Sequence, residues 1–270
     1  MDKEEPVLST PRDVVISSWS ELLDELYAES WQENIRRYRS KYAFRGLSSS
    51  GYDLKTSLIR LGGDFTSLEF HLIRNFKKYS RIQSHSDFTV WKWLTLAQHH
   101  GLPTRLLDWT YSPFIALHFV TSDIEHFQRD GAIWCVDFAA LHHTLPAKIE
   151  SVLAREKANA FTIEMLSQVA DTLPGFDNIS DEDFVLFFEP PSMDDRIVNQ
   201  FALHSVISNP GAMLNELLNR FPEYYKRVIV PKELKWEIRD KLDQANINER
   251  IIFPGLEGLC SWLTRHYSPR

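Results

Sequence analysis

The groups best placed to do chemistry gather between Ala97 and Val120, in the run AQHHGLPTRLLDWTYSPFIALHFV. Turn-forming, charged and hydroxyl-bearing residues sit there between two apolar helical segments, in a density that a stretch serving only a core does not need. Gly101-Leu102-Pro103-Thr104 breaks the preceding helix, because Gly accepts positive φ at a helix end and Pro cannot continue the ladder. Leu106-Leu107 reads as a short buried segment carrying Arg105 and Asp108 at its ends. Ser112-Pro113 then opens the next helix with an N-cap residue and proline at the first helical position. Thr110 and Ser112 thereby fall at a strand-to-helix corner, a common place for a site.

A second candidate is Arg45. Tyr42-Ala43-Phe44 reads as a strand that Arg45 ends at Gly46, before the loop Ser48-Ser49-Ser50-Gly51. A guanidinium at a strand end is well placed to hold phosphate or carboxylate with its rigid fork; a structural ion pair with a carboxylate such as Asp108 is the alternative. Arg60 is expected to point to the same pocket. Gln98 shares a helix face with Trp91, Leu94 and Thr95 by i, i+3, i+4 spacing, where it serves either a ligand or a backbone group. Adjacent histidines such as His99 and His100 do not easily face one metal, so no metal site is expected and a helix-end or hydrogen-bonding role is preferred for them.

The elements that position these residues can be read in order. The 270 residues are long for one domain and short for two, and 43% hydrophobic with 13% aromatic content can fill a sizeable core. A net charge of −7 and a pI near 5.8 argue against a broad nucleic-acid footprint while leaving room for a local basic groove. Cys135 and Cys260 are far apart and show neither a disulfide framework nor zinc spacing, so both read as buried thiols. The start, MDKEEPVLSTPRD, has no apolar signal core and no stretch is long and apolar enough for a span, so a cytoplasmic protein without membrane attachment is expected.

Residues 1–37 read as an N-terminal tail and helix. The first 15 or so residues read as a polar tail or as an extended strand around Asp13-Val14-Val15-Ile16, and Ser18 with Glu21 makes a capping box for a helix over Leu22, Leu26 and Trp31. Thr66 with Glu69 makes a second capping box, and Ser86 or Asp87 caps a helix over 88–100. Strands are expected at 131–137, 184–188, 196–205 and 225–230. Residues 139–172 form a helical insertion, clearest from Leu153 to Leu166. Helices follow over 213–221, 233–242 and 257–266. No Walker loop, G-x-G-x-x-G, G-x-S-x-G or H-E-x-x-H occurs, which argues against P-loop, Rossmann, serine-hydrolase and zincin chemistry. The fold class is α+β, with irregular strands among helices rather than a βαβ array.

Phe44-Arg45-Gly46 and the run Gln98 to Thr110 resemble the FRG-domain family, and the likeness extends to Ser112-Pro113, Ala116-Leu117, Arg196 with Gln200, and Phe253-Pro254-Gly255-Leu256, over residues 38–265. More weakly, the chain resembles ADP-ribosyltransferases of the Arg-Ser-Glu type. Phe44-Arg45-Gly46 is similar to their first motif, and Thr110-Tyr111-Ser112 with Ala116 to Phe119 to their second. That resemblance implies a small split or mixed β-sheet core with surrounding helices, clamping NAD as substrate. It implies Arg45, Thr110 and Gln200 as catalytic residues, and Arg45, Gly46, Gln98, His99, Thr110 and Ser112 as the NAD contacts.

The third motif departs from the pattern, since no Glu-x-Glu opens a strand after residue 190 and Gln200 takes the equivalent place. Cleaving the nicotinamide–ribose bond passes through an oxocarbenium-like state that a carboxylate stabilises. Gln can hydrogen-bond the ribose but brings no charge. Glu189, Asp195 and Asp108 are the candidate carboxylates, Asp108 being preferred as a structural partner of Arg45 or Arg105. The resemblance implies transfer to a macromolecule, protein or nucleic acid, by a toxin or defence effector that an antitoxin could restrain. A non-catalytic binding module and an NAD glycohydrolase are the alternatives.

Overall fold

The computed structural model describes residues 12–80 and 88–268. Among the described residues nine short strands run in chain order as β1 (Asp13–Val15), β2 (Trp31–Gln32), β3 (Arg37–Tyr38), β4 (Tyr42–Leu47), β5 (Leu106–Thr110), β6 (Gly131–Asp137), β7 (Val185–Phe188), β8 (Ala202–Ile207) and β9 (Tyr225–Val230). β2 and β3 form a separate hairpin, and the other seven make one mixed sheet in the order β1-β9-β6-β4-β5-β8-β7. Only β1 on β9 is parallel; the remaining neighbours are antiparallel. The α+β class with a central mixed sheet among helices holds.

The middle of this sheet is its weakest seam. β4 and β6 align over six residue pairs, Tyr42–Asp137 through Leu47–Ala132, and β5 and β8 over five, Leu106–Val206 through Thr110–Ala202. β4 and β5 share a single pair, Phe44 with Thr110. Beyond it the strands part, leaving two half-sheets, β1-β9-β6-β4 and β5-β8-β7.

Side-chain alternation makes the split consequential. On one face the half-sheets carry separate helical layers. Tyr42, Phe44, Ile133, Cys135 and Val228 pack with the Trp19–Tyr27, Pro113–Val120 and Lys235–Gln244 helices. Leu106, Leu186, Phe188 and Val206 pack with the Val90–His99 helix and the Ala147–Glu156, Ile163–Val169 and Leu173–Asp177 helices. On the other face one continuous core spans the seam, with Ala43, Leu47, Leu107, Trp109, Trp134, Phe187 and Leu203 in contact. The sheet is thus tied together beneath and open above, between two helical layers.

Gly46 sets how closely the upper layer sits. A Cβ built there would lie 1.9 Å from the Ala116 carbonyl oxygen of the Pro113–Val120 helix, so this helix rests directly on the β4 backbone. Ser112 caps the same helix, accepting from Ile115 N at 3.4 Å.

Several elements differ from the sequence reading for local reasons. β4 runs on through Gly46 to Leu47, so Arg45 lies inside the strand. The first helix ends at Tyr27, and Trp31 belongs to the hairpin because Glu29 takes positive φ. Glu21 reaches back to Ser17 N at 2.7 Å while Ser18 caps Glu21 N at 3.2 Å, a variant of the expected box. Asp64, not Thr66, caps the Phe65–Tyr79 helix. Thr89 caps the Val90–His99 helix, and Ser86 and Asp87 lie outside the described residues. Leu153 to Leu166 is not one helix: Lys157 turns left-handed at φ 51°, and Phe161 pairs onto β7 through Phe161 N–Phe187 O at 3.1 Å. Residues 195–199 are a helix capped by Asp194, and β8 starts only at Ala202, after Phe201 at φ 47°. Cys135 is buried as expected, but Cys260 is exposed.

Gly46→Ala should lower stability by about 2–3 kcal/mol, because the new methyl must displace a helix backbone rather than a flexible side chain. A urea midpoint that falls with an unchanged slope is the expected readout. An unshifted midpoint would mean that the helix does not rest on this strand.

Candidate functional site

A cavity of about 240 Å³ opens over the seam. β4 contributes Phe44, Arg45 and Gly46, and β5 contributes Asp108, Trp109 and Thr110. Gln98 and His99 come from the end of the Val90–His99 helix, and Ala202 and His204 from β8. Arg196, Ile197 and Gln200 come from the Asp195–Asn199 helix and its cap, with Phe119 and Phe253 as aromatic walls.

Asp108 is the centre of the polar floor. Alternation places it on the cleft face beside Leu106, and register places His204 directly across from it on β8. Gln98 Nε2 donates to both carboxylate oxygens, at 2.9 and 3.0 Å. The orientation of that amide is set from behind, since the Thr104 hydroxyl donates to Gln98 Oε1 at 2.5 Å. His204 Nδ1 lies 3.2 Å from Asp108 Oδ1, close enough to help hold the carboxyl ionised. His204 itself is only 6% exposed. The Asp108 side chain is 59% exposed and lines the cavity.

These neighbours decide its charge. Enclosure by protein pushes the Asp108 pKa up, but His204, Arg45 and Gln98 together outweigh it and hold the carboxyl at about 2, well below the usual carboxylate range. Asp108 is therefore an ionised group facing the cavity.

Arg45 spans the seam. Where the register would next bring Gly46 opposite Asp108, the strands have parted, and the Asp108 carbonyl accepts from Arg45 Nη1 instead. Arg45 Nε is buried without a partner. Burial lowers the Arg45 pKa from its ordinary value, yet guanidinium remains charged at any ordinary pH. A buried, unsatisfied donor on a cation beside an open cavity is a standing demand for an acceptor.

The expected site residues divide on this geometry. Arg45, Gly46, Gln98, His99, Thr110 and Gln200 converge on the cavity, whereas Ser112 lies outside its lining and serves its helix cap. The Thr110 hydroxyl is already engaged, donating to Gln200 O at 2.7 Å and accepting from Ser112 N at 3.0 Å. Gln200 caps a helix rather than heading a strand, and its amide donates to Ile252 O at 3.2 Å. Gln98 bonds a carboxylate and a hydroxyl rather than backbone. His99 Nε2 pairs with Asp194 Oδ2 at 2.5 Å, and burial lowers its pKa.

Of the three candidate carboxylates only Asp108 lines the cavity; Glu189 accepts from Tyr111 at 2.9 Å, and Asp195 is exposed on its helix. Arg105 does not meet Asp108. Its guanidinium is buried between Glu69, at 2.9 Å from Nε, and Asp177. Arg60 lies in a different depression, with Lys55 and His126. Sequence reasoning missed His204, Phe119 and Phe253 as cavity residues and Arg196 as a site group. Arg196 stacks over the Phe253 ring at 5.1 Å. Among the described residues no group of three or more His, Cys, Asp or Glu is arranged to hold a metal, and no helix is long and apolar enough to cross a membrane.

The depressed pKa has a definite sign for stability. A carboxylate whose folded-state value lies below its unfolded value, about 3.9 for Asp, stabilises the fold above that value. The contribution is lost as pH falls toward about 2. Carboxyl NMR should follow Asp108 titrating near 2, and Gln98→Leu, which removes both donors, should move that midpoint upward. An Asp108 midpoint in the ordinary range in the intact chain would contradict the clamp.

No curated protein and no solved structure matches the chain. The match to a family runs from residue 40 to 129, taking in Arg45, Gly46, Gln98, Asp108, Thr110 and Phe119 but not Arg196, Gln200, His204 or Phe253. Over that segment, which carries β4, β5 and the floor of the cleft, the chain matches the FRG domain.

Proposed function

We propose that the cleft binds NAD and transfers its ADP-ribose to a macromolecular acceptor, protein or nucleic acid. The observation that carries this reading is the pairing, across a parted sheet, of an ionised carboxylate, Asp108, with an arginine whose buried Nε lacks an acceptor. Arg45 and Arg196 supply positive charge for a pyrophosphate, in the forked geometry that guanidinium offers to phosphate oxygens. Phe119 and Phe253 supply flat apolar walls for a heteroaromatic ring. In the reaction the nicotinamide–ribose C–N bond breaks, its electron pair leaves on the nicotinamide nitrogen, and positive charge develops at the ribose carbon. Asp108 stabilises that charge from the floor. An acceptor heteroatom then bonds to the same carbon and gives up its proton to solvent water.

This assignment gives Asp108 the part that the Arg-Ser-Glu pattern leaves to glutamate. Gln98 and His204 become the groups that orient it, and Gln200 is a wall rather than a source of charge. A second reading has support of its own: the Thr110 hydroxyl and Gln200 amide are both spent inside the protein, as suits a module that binds a ligand without turning it over.

Incubation of the purified chain with radiolabelled NAD and a cell lysate separates the readings. Transfer of label into protein or nucleic acid is expected. Asp108→Asn should reduce it at least about 100-fold with NAD affinity retained, and Arg45→Ala should weaken binding itself. NAD consumption without labelled acceptor points to a glycohydrolase, binding without consumption to the module. Undiminished transfer by Asp108→Asn would remove the proposed carboxylate.

A further inference from the structure

Behind Phe253, which also walls the cleft, lies a second cavity of about 320 Å³. His118, Ser122, Glu249, Glu257 and Ser261 are among its lining residues. His118 is fully buried, at 0% exposure. Its Nδ1 lies 2.9 Å from Arg239 Nη1. A guanidinium nitrogen only donates, so Nδ1 must accept and the ring is neutral with its hydrogen on Nε2. Burial, reinforced by Arg239, holds the His118 pKa down at about 3, which keeps the ring neutral. Nε2 has no partner in the protein. A residue that lines this cavity thus carries a fixed donor, buried and unpaired.

The surroundings define what can satisfy it. A metal ion is excluded at Nε2, because the proton occupies the coordinating position. An anion is disfavoured: Glu249 and Glu257 line the cavity, and Arg265, which lines it too, is committed. Its Nε and Nη2 go to Glu249 at 2.6 and 2.7 Å, and Nη1 and Nη2 to Asp243 at 2.7 and 2.8 Å. A cation offers no acceptor to His118. What fits is a neutral group presenting an acceptor to His118 and donors to the carboxylates, on an apolar body that can lie against Phe253 and Ile124.

We propose that this rear cavity binds a small carboxamide, whose carbonyl oxygen accepts from His118 Nε2 and whose N–H groups turn to the lining carboxylates. Identifying that carboxamide as nicotinamide, released from the cleft across the Phe253 wall, rests on the proposed function. The chemistry of the cavity does not.

The test is ligand-observed NMR on the full chain with nicotinamide, benzamide and nicotinate. Both amides are expected to bind, with the nicotinate anion at least tenfold weaker. Ser261 is exposed at the rim, so Ser261→Trp should plug the cavity and abolish amide binding without disturbing the buried His118. Arg45→Gln should leave it unchanged. Absence of amide binding overturns the proposal. So does binding that survives Ser261→Trp but is lost in Arg45→Gln, which places the amide in the front cleft. Amide binding at the rear in a chain that does not bind NAD upholds the cavity's ligand class and overturns the proposed function instead.

Discussion

Everything at the candidate site depends on one interrupted ladder. A β4–β5 pairing that continued past Phe44 and Thr110 would set Gly46 against Asp108 and leave no cleft. The interruption exposes a backbone carbonyl in the middle of a sheet, where an unpaired polar group is costly. Arg45 satisfies it with a side chain instead of a neighbouring strand, and in doing so brings a cation to the mouth of the opening. One substitution of a guanidinium for a peptide N–H thus creates both the space and its charge. The three residues of the Phe-Arg-Gly motif divide the labour: Phe44 holds the last strand pair and is fully buried, Arg45 bridges the gap, and Gly46 admits the helix above.

Two buried charge clusters brace the halves from outside the cleft. On the β5 side Arg105 ties the Phe65–Tyr79 helix to the Leu173–Asp177 helix through Glu69 and Asp177. On the β4 side Arg265 and Arg239 share Asp243, with Glu249 as a further partner of Arg265. Such clusters add little net stability against apolar replacements, but removal of one partner leaves an uncompensated charge.

Much of this arrangement was legible in the chain. Ser112-Pro113 announces the helix at the corner because N-cap and proline preferences are local, and the strands at 131–137 and 225–230 show in the apolar run Ala132 to Val136 and the β-branched Val228-Ile229-Val230. Gln98 and Thr110 sit near element ends as read, whereas Arg45 lies inside its strand and reaches the cleft because the neighbouring strand parts from it. What local pattern could not supply was register. His204 becomes a neighbour of Asp108 only once β5 and β8 are aligned residue by residue, and Arg105 looks as available as Arg45 until Glu69 and Asp177 are folded against it. Alternation over residues 196–205 points to a strand through Gln200; Asp194 capping and the left-handed Phe201 instead make a helical turn there. Sequence motifs thus located the floor of the cleft, and long-range pairing decided which carboxylate occupies it.

The central claim is that the parted seam between β4 and β5 is the seat of an anionic dinucleotide. A crystal structure of the chain with a non-cleavable NAD analogue tests it most directly. The account predicts density over the seam, with a phosphate or ribose oxygen accepting from Arg45 Nε and the ribose carbon facing Asp108. Analogue bound elsewhere, with Arg45 Nε still unpaired and the space above Asp108 empty, would contradict it.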